Sequence, residues 1–135
     1  MFPLHVLTAT SPFYEGMCES LIIPTVDGRY GVLSGHSDTI CAVVPGELYI
    51  RLPSGEMRVA ACAAGIMKVE KGDVLVLVDS AIRPEDIDKD RARRMADDAR
   101  EQLLQKQSIE EYHAAQARLA RALARLSVRE KYIGE

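Results

Sequence analysis

Two stretches of the chain carry side chains of types that do chemistry. Residues 30–40, YGVLSGHSDTI, crowd Ser34, His36, Ser37 and Asp38 into five positions, the residue types of a nucleophilic relay. Residues 87–92, IDKDRA, set Asp88 and Arg91 three apart. That spacing puts a carboxylate and a guanidinium on one helix face, a pair suited to a nucleotide.

The first stretch fails the geometric requirement of its chemistry. A nucleophile elbow needs G-x-S-x-G with the serine between a strand and a helix. Here Gly31-Val32-Leu33-Ser34-Gly35 has the wrong spacing, and no segment of helical period follows. His36, Ser37 and Asp38 are sequence neighbours, and neighbours do not readily form a serine-histidine-aspartate relay. A stand-alone enzyme or a metal-binding β-domain would have to use His36 or a free cysteine. The three histidines, His5, His36 and His113, are each isolated from a second ligand at useful spacing. The stretch therefore reads as a glycine-framed strand end and turn, with His36 placed for packing or a partner contact. No Walker loop and no G-x-G-x-x-G is present.

The second stretch is weak by spacing alone, because Asp-x-x-Arg pairs are common on helix surfaces. It gains interest from Arg118, Arg121, Arg125 and Arg129, which recur at spacings of 3, 4 and 4 and share one face of a later helix. Such a stripe is either a solvated helix face or a surface seeking acidic groups or phosphate.

The elements that must position these residues fall into two parts. From Leu4 to about Asp79, short apolar segments such as ELYIRL and VLVLVD are separated by Asp27-Gly28, Pro45-Gly46, Pro53-Ser54-Gly55 and Lys71-Gly72-Asp73. Glu47 to Leu52 and Glu56 to Val59 alternate polar with apolar residues, which predicts one face on a core and one in water. About eight to ten short strands at this spacing predict a β-sandwich or barrel.

After Pro84 glycine disappears until Gly134, and Ala, Arg, Glu, Gln and Leu dominate. Ile87, Ala92, Met95, Ala96, Ala99 and Leu103 form one stripe of helical period; Ile109, Tyr112, Leu119, Leu123 and Leu126 form a second, with alanines at 115, 120 and 122 beside it. Ser108-Ile109-Glu110-Glu111 is a capping box that starts the second helix. The prediction is a β domain over 1–83, then an antiparallel two-helix hairpin over 84–135 with its turn near Lys106 to Ser108. Alanine supplies much of both stripes, so the seam is held only marginally, at about 0.8 kcal/mol per buried methylene. A marginally held element can move.

Composition narrows the function classes. The 135 residues are 47% hydrophobic and 27% charged, which suits one soluble globular domain with an appendage. The formal net charge of -3 gives no electrostatic reason to expect nucleic acid. Residues 1–82 hold five Lys or Arg against nine Asp or Glu, a net of -4; residues 83–135 hold twelve against eleven, a net of +1. Cys18, Cys41 and Cys62 are odd in number and lack C-x-x-C spacing, so they read as buried free thiols rather than a disulfide framework or zinc site. MFPLHVLTAT has neither a basic n-region nor a long apolar h-region, so a targeting peptide is not expected. VAACAAGIM is too short to span a bilayer, so membrane work would need another protein as anchor.

In order along the chain, Gly28-Arg29-Tyr30-Gly31-Val32-Leu33-Ser34-Gly35-His36, Pro45-Gly46, Ala64-Gly65-Ile66-Met67-Lys68-Val69, Asp79-Ser80-Ala81-Ile82-Arg83, Ile87-Asp88-Lys89-Asp90-Arg91-Ala92 and Arg125-Leu126-Ser127-Val128 resemble the epsilon-subunit family of F-type ATP synthases. The resemblance covers nearly the whole chain. It implies a rotor subunit without catalytic chemistry of its own, with a flattened β-sandwich at the foot of the central stalk against the gamma subunit and the c-ring. The hairpin is then a switch: folded on the sandwich it permits turnover, and extended along gamma it reaches the alpha and beta subunits and blocks ATP hydrolysis. Arg118, Arg121, Arg125 and Arg129 become contacts for acidic residues of beta, and Arg29 and His36 become partner contacts at the sandwich. The family's Ile/Leu-Asp-x-x-Arg-Ala motif is matched by Ile87, Asp88, Arg91 and Ala92, and its second-helix arginines by Arg121 and Arg125. No cofactor is required, and ATP is implied as a regulatory ligand. Ile82 stands where tight binders carry an acidic residue, and Asp98 where they carry a basic one, so the expected affinity is weak, near millimolar. The implied location is peripheral, on the cytoplasmic face of a bacterial plasma membrane. In the 30–40 turn, Ser34, Ser37 and Asp38 replace the proline, alanine and proline usual in the family, leaving the glycines and His36 as the features that carry over.

Overall fold

The computed structural model of the chain describes residues 1–105 and 107–134. Ten strands among them make two five-stranded sheets. The first runs β2 (Pro12–Cys18), β1 (Phe2–Leu7), β9 (Asp73–Val78), β8 (Gly65–Glu70), β5 (Thr39–Val43). The second runs β10 (Ala81–Ile82), β7 (Met57–Cys62), β6 (Gly46–Arg51), β3 (Ser20–Thr25), β4 (Gly28–Leu33). A 3-10 turn over Pro84–Asp86 leads into α1 (Lys89–Leu103) and α2 (Ile109–Ile133). The fold is the predicted β-sandwich followed by two helices. No helix among the described residues is long and apolar enough to cross a membrane.

Register explains the core. Leu4 and Val6 of β1 pair with Val74 and Val76 of β9, which pair in turn with Val69 and Met67 of β8. This row faces Leu21, Ile23, Val32, Leu48 and Ile50 of the second sheet, and all eleven of these side chains are buried in one cluster. A period of two sends alternate residues inward, and β-branched side chains pack well on a pleated surface. At the entry to β8, Gly65 pairs with Val78, and a Cβ there would lie 1.9 Å from the Leu77 carbonyl oxygen. Only glycine permits that approach.

The second sheet departs from the expectation of one face in water. Leu48, Ile50 and Ala60 point into the sandwich, but the opposite side of β6 and β7 is covered by the hairpin. Ala61, Ile87 and Val128 form a small buried cluster, with Val59 and Ile82 packed against it. Where α2 lies on it, the outer side of this sheet carries Val59, Ala61 and Tyr49 together with the carboxylate of Glu47.

Both helices begin at side-chain caps. Asp88 Oδ1 accepts from the Arg91 N–H at 3.0 Å, and Ser108 Oγ accepts from the Glu111 N–H at 3.1 Å. The S-x-x-E box therefore starts α2 as expected; Lys106, where its turn was expected to begin, lies outside the described residues. The second stripe needs correcting. Ala115 and Ala122 are the buried residues of α2 that complement the buried Ala92, Ala96 and Ala99 of α1, and Val128 is buried against the sheet, whereas Ile109, Tyr112 and Leu123 are exposed. Alanines let two helices approach closely, and the larger side chains are then displaced to the flanks.

Candidate functional site

The residues of the 34–38 turn are brought near one another but bonded elsewhere. His36 Nδ1 lies 2.7 Å from the Ser37 carbonyl oxygen, so Nδ1 donates there. In the neutral ring, Nε2 then accepts from the Tyr30 hydroxyl at 2.9 Å. Asp38 Oδ1 accepts from the Lys71 N–H at 2.9 Å, and Ser34 Oγ donates to the Met1 carbonyl oxygen at 3.3 Å. Lys71 and Gly72, both at positive φ, make the two-residue turn between β8 and β9. Asp38 thus ties two turns into one polar edge of the sandwich. No serine-histidine-aspartate relay is assembled.

The arginine stripe is not a solvated face. Arg118, Arg121, Arg125 and Arg129 are all half-buried. Arg118 hydrogen-bonds the Gln102 side chain, Arg125 reaches Ser80 Oγ at 3.2 Å and Met95 Sδ at 3.7 Å, and Arg129 donates to the Ile87 carbonyl oxygen at 3.0 Å. A cavity of about 240 Å³ opens beside them, lined by Asp86, Asp88, Arg91 and Arg125 with Ile82, Ile87 and Ala92.

Charged groups of both signs line this cavity. Burial, followed by the like charges of Arg121 and Arg91, pulls the Arg125 pKa below its ordinary value. Asp88 caps α1 with one carboxylate oxygen, so it meets Arg91 through the backbone N–H rather than as an ion pair. Arg121 acts on Arg125 by its charge without lining the cavity. Ile82 lines it, and Asp98 is exposed on α1.

Two surfaces lay outside the sequence expectations. On the outer side of the first sheet, Ile40, Ile66 and Leu77 are 70%, 46% and 39% exposed, and Ile66 is paired with Leu77 across β8 and β9. The run VLVLV over 74–78, apolar at both parities, was the signal for it. On the second sheet, Lys131 and Tyr132 at the end of α2 meet Glu47 and Tyr49 of β6, and the exposed Arg29 stacks over Tyr49 at 4.7 Å. A contact across 84 residues of sequence left no local signal.

The thiols are free. Cys18 and Cys62 are buried, and desolvation raises both to about 11; Cys41, only half-buried rather than buried as expected, is raised by the same cause. Nothing lowers a thiol into the reactive range.

Comparison with known proteins places the whole arrangement. The beta-sandwich domain of the ATP synthase delta/epsilon chain matches residues 1–84, and the long alpha-helix domain of the same chain matches 85–130. The ATP synthase epsilon chain of Caldanaerobacter subterraneus subsp. tengcongensis is 39% identical over 132 residues, covering 97% of this chain and 95% of its own. That of Ruminococcus albus is also 39% identical, covering 97% and 98%. In fold, the chain is similar to one in the cryo-EM structure of the Euglena gracilis mitochondrial ATP synthase, with a TM-score of 0.74 at 21% identity, covering 96% of this chain and 79% of that one. A chain in the Tetrahymena thermophila central stalk and c-ring structure gives 0.65 at 15% identity, covering 94% and 95%. With a sandwich and a helical hairpin in this order and both domains matched in sequence, the chain belongs to the ATP synthase delta/epsilon chain family.

Proposed function

We propose that this chain is the epsilon subunit of an F-type ATP synthase, a non-catalytic rotor component that helps couple ion translocation to rotary ATP synthesis. The exposed apolar side of the first sheet, with Ile40, Ile66 and Leu77, is the surface for gamma. Apolar area of this kind gains most when covered by a partner. The polar edge at His36 and Asp38 faces the c-ring. Attachment to the membrane is then peripheral and runs through the complex, at the cytoplasmic face of a bacterial plasma membrane.

The hairpin is the regulatory part. The observation that carries this reading is that Arg118, Arg121, Arg125 and Arg129 are half-buried in the docked hairpin, with Arg125 and Arg129 bonded inward. Docking is held by a small apolar cluster around Val128 and Ile87, where burying each such side chain is worth about 1.5–3 kcal/mol. An energy gap of that size is within reach of a ligand or partner. Release would turn the four arginines outward, toward acidic surfaces of alpha and beta, and block hydrolysis. ATP bound weakly between Arg91 and Arg125 would favour the docked form by binding only there.

The test is deletion from residue 84 onward in the assembled complex, with ATP hydrolysis as readout. Faster hydrolysis is expected from the truncated complex. Unchanged hydrolysis would remove the inhibitory role and leave the rotor assignment to be judged by co-purification with gamma.

A further inference from the structure

Apart from the Val128 cluster, the polar ties of α2 to the sandwich are unevenly distributed. Arg125 makes one hydrogen bond to Ser80 in the segment after β9. The last turn of α2 makes several to a single strand. Lys131 Nζ lies 3.3 and 3.2 Å from the two carboxylate oxygens of Glu47 and 2.6 Å from the Tyr49 hydroxyl. Tyr132 donates its hydroxyl proton to Glu47, its oxygen lies 2.5 Å from the Tyr49 hydroxyl, and its ring meets that of Tyr49 edge to face at 6.4 Å. Arg29 closes the far side of the Tyr49 ring.

We propose that this cluster is a latch: Glu47, gripped by Lys131 and Tyr132, fastens the end of α2 to β6 and governs how often the hairpin leaves the sandwich. The geometry favours a latch over an ordinary surface ion pair. The Glu47 side chain is only 22% exposed, both its oxygens are used, and one partner is a tyrosine rather than a second mobile charge. Charge-assisted bonds to a partly buried carboxylate are stronger than exposed pairs, whose median value is near zero. The two ends of the contact also belong to different parts of the fold, so it exists only while α2 is docked. Elsewhere the helix offers alanines to α1 and one valine to the sheet. The latch deepens the switch described above and rests on that reading, since it matters only if the hairpin releases.

Hydrogen exchange on the full chain, followed by mass spectrometry at neutral pH, measures the opening directly. Glu47→Gln is expected to speed exchange of the α2 amides about tenfold or more, the scale of a lost charged hydrogen bond, while amides of β1 and β9 stay protected. The double variant Lys131→Met, Tyr132→Phe changes nothing inside the sandwich and is expected to give the same acceleration. It decides the matter if Glu47→Gln also loosens β1 and β9. Unchanged α2 exchange in the double variant overturns the latch. Because this readout is the motion of the hairpin and not ATP hydrolysis, a failed latch and a failed inhibitory switch give different results: the latch can fail here while truncation at residue 84 still accelerates hydrolysis, and the reverse.

Discussion

Arg125 of the second helix donates to Ser80 Oγ at 3.2 Å across 45 residues of sequence, and it does so with two further arginines, Arg91 and Arg121, raising the positive potential around it. The serine hydroxyl accepts that hydrogen bond and carries no counter-charge, and under the proposed function an ATP phosphate supplies one. We expect isothermal titration of the whole chain with ATP to give a dissociation constant near millimolar. Arg125→Ala should lose the heat entirely, since both the phosphate contact and the reason for the cluster go with it. Nanomolar affinity, or no heat at several millimolar ATP, would each contradict the proposed site.

Acid should open the end of α2 through Glu47. Burial pushes the Glu47 carboxyl up, but hydrogen bonds from Tyr132, Tyr49 and Lys131 and the Lys131 charge outweigh burial and hold it below the usual range. A carboxyl lowered in the docked form stabilises that form fully above its released pKa, about 4.3, and loses the effect as pH falls through the docked value. The groups around it are Tyr49 from β6 and Lys131 and Tyr132 from α2, with Arg29 of β4 over the Tyr49 ring and Glu56, Arg58, Arg83 and Glu85 in the cleft next to Tyr132. The chain has five tyrosines and no tryptophan, so tyrosine fluorescence includes the Tyr49 and Tyr132 pair with no tryptophan signal over it. Its change between pH 7 and 3 should have a midpoint below about 4.3 and shrink in Glu47→Gln. An identical titration in that variant would assign the change to other carboxyls.

Substitution of Gly65 tests the sandwich itself. Alanine there would put its Cβ 1.9 Å from the Leu77 carbonyl oxygen and 2.7 Å from Val78 Cα, both backbone atoms in the middle of the first sheet. The strands would have to part, and the expected loss is about 3 kcal/mol or more, read from urea unfolding. A loss under about 1 kcal/mol would mean that β8 and β9 can separate at little cost.

Much of this molecule was readable along the chain. Alternation in ELYIRL placed Leu48 and Ile50 inside, the S-x-x-E box at Ser108 marked the start of the second helix, and glycine and proline punctuation separated the strands. These are local effects: a two-residue period, a capping hydrogen bond and a permitted φ all act within a few residues. The choice between a turn and a catalytic cluster at Ser34 to Asp38 was also local, because adjacent residues cannot easily converge on one reacting atom.

Tertiary structure decided the rest. The period of α2 makes Ile109, Leu123, Ala115 and Ala122 equally eligible for the seam, and only the closeness of α1 selected the alanines. The arginines share a face by spacing, but whether that face meets water or the sandwich depended on where the second sheet lay. Glu47, Tyr49, Lys131 and Tyr132 have no pattern that links them, since a contact made by docking one folded element on another is set by the shapes of both. The sequence by itself determined the strands, the start of the second helix and the two-part plan; the docking of α2 determined which charges are covered, and with them the means by which the hairpin is held.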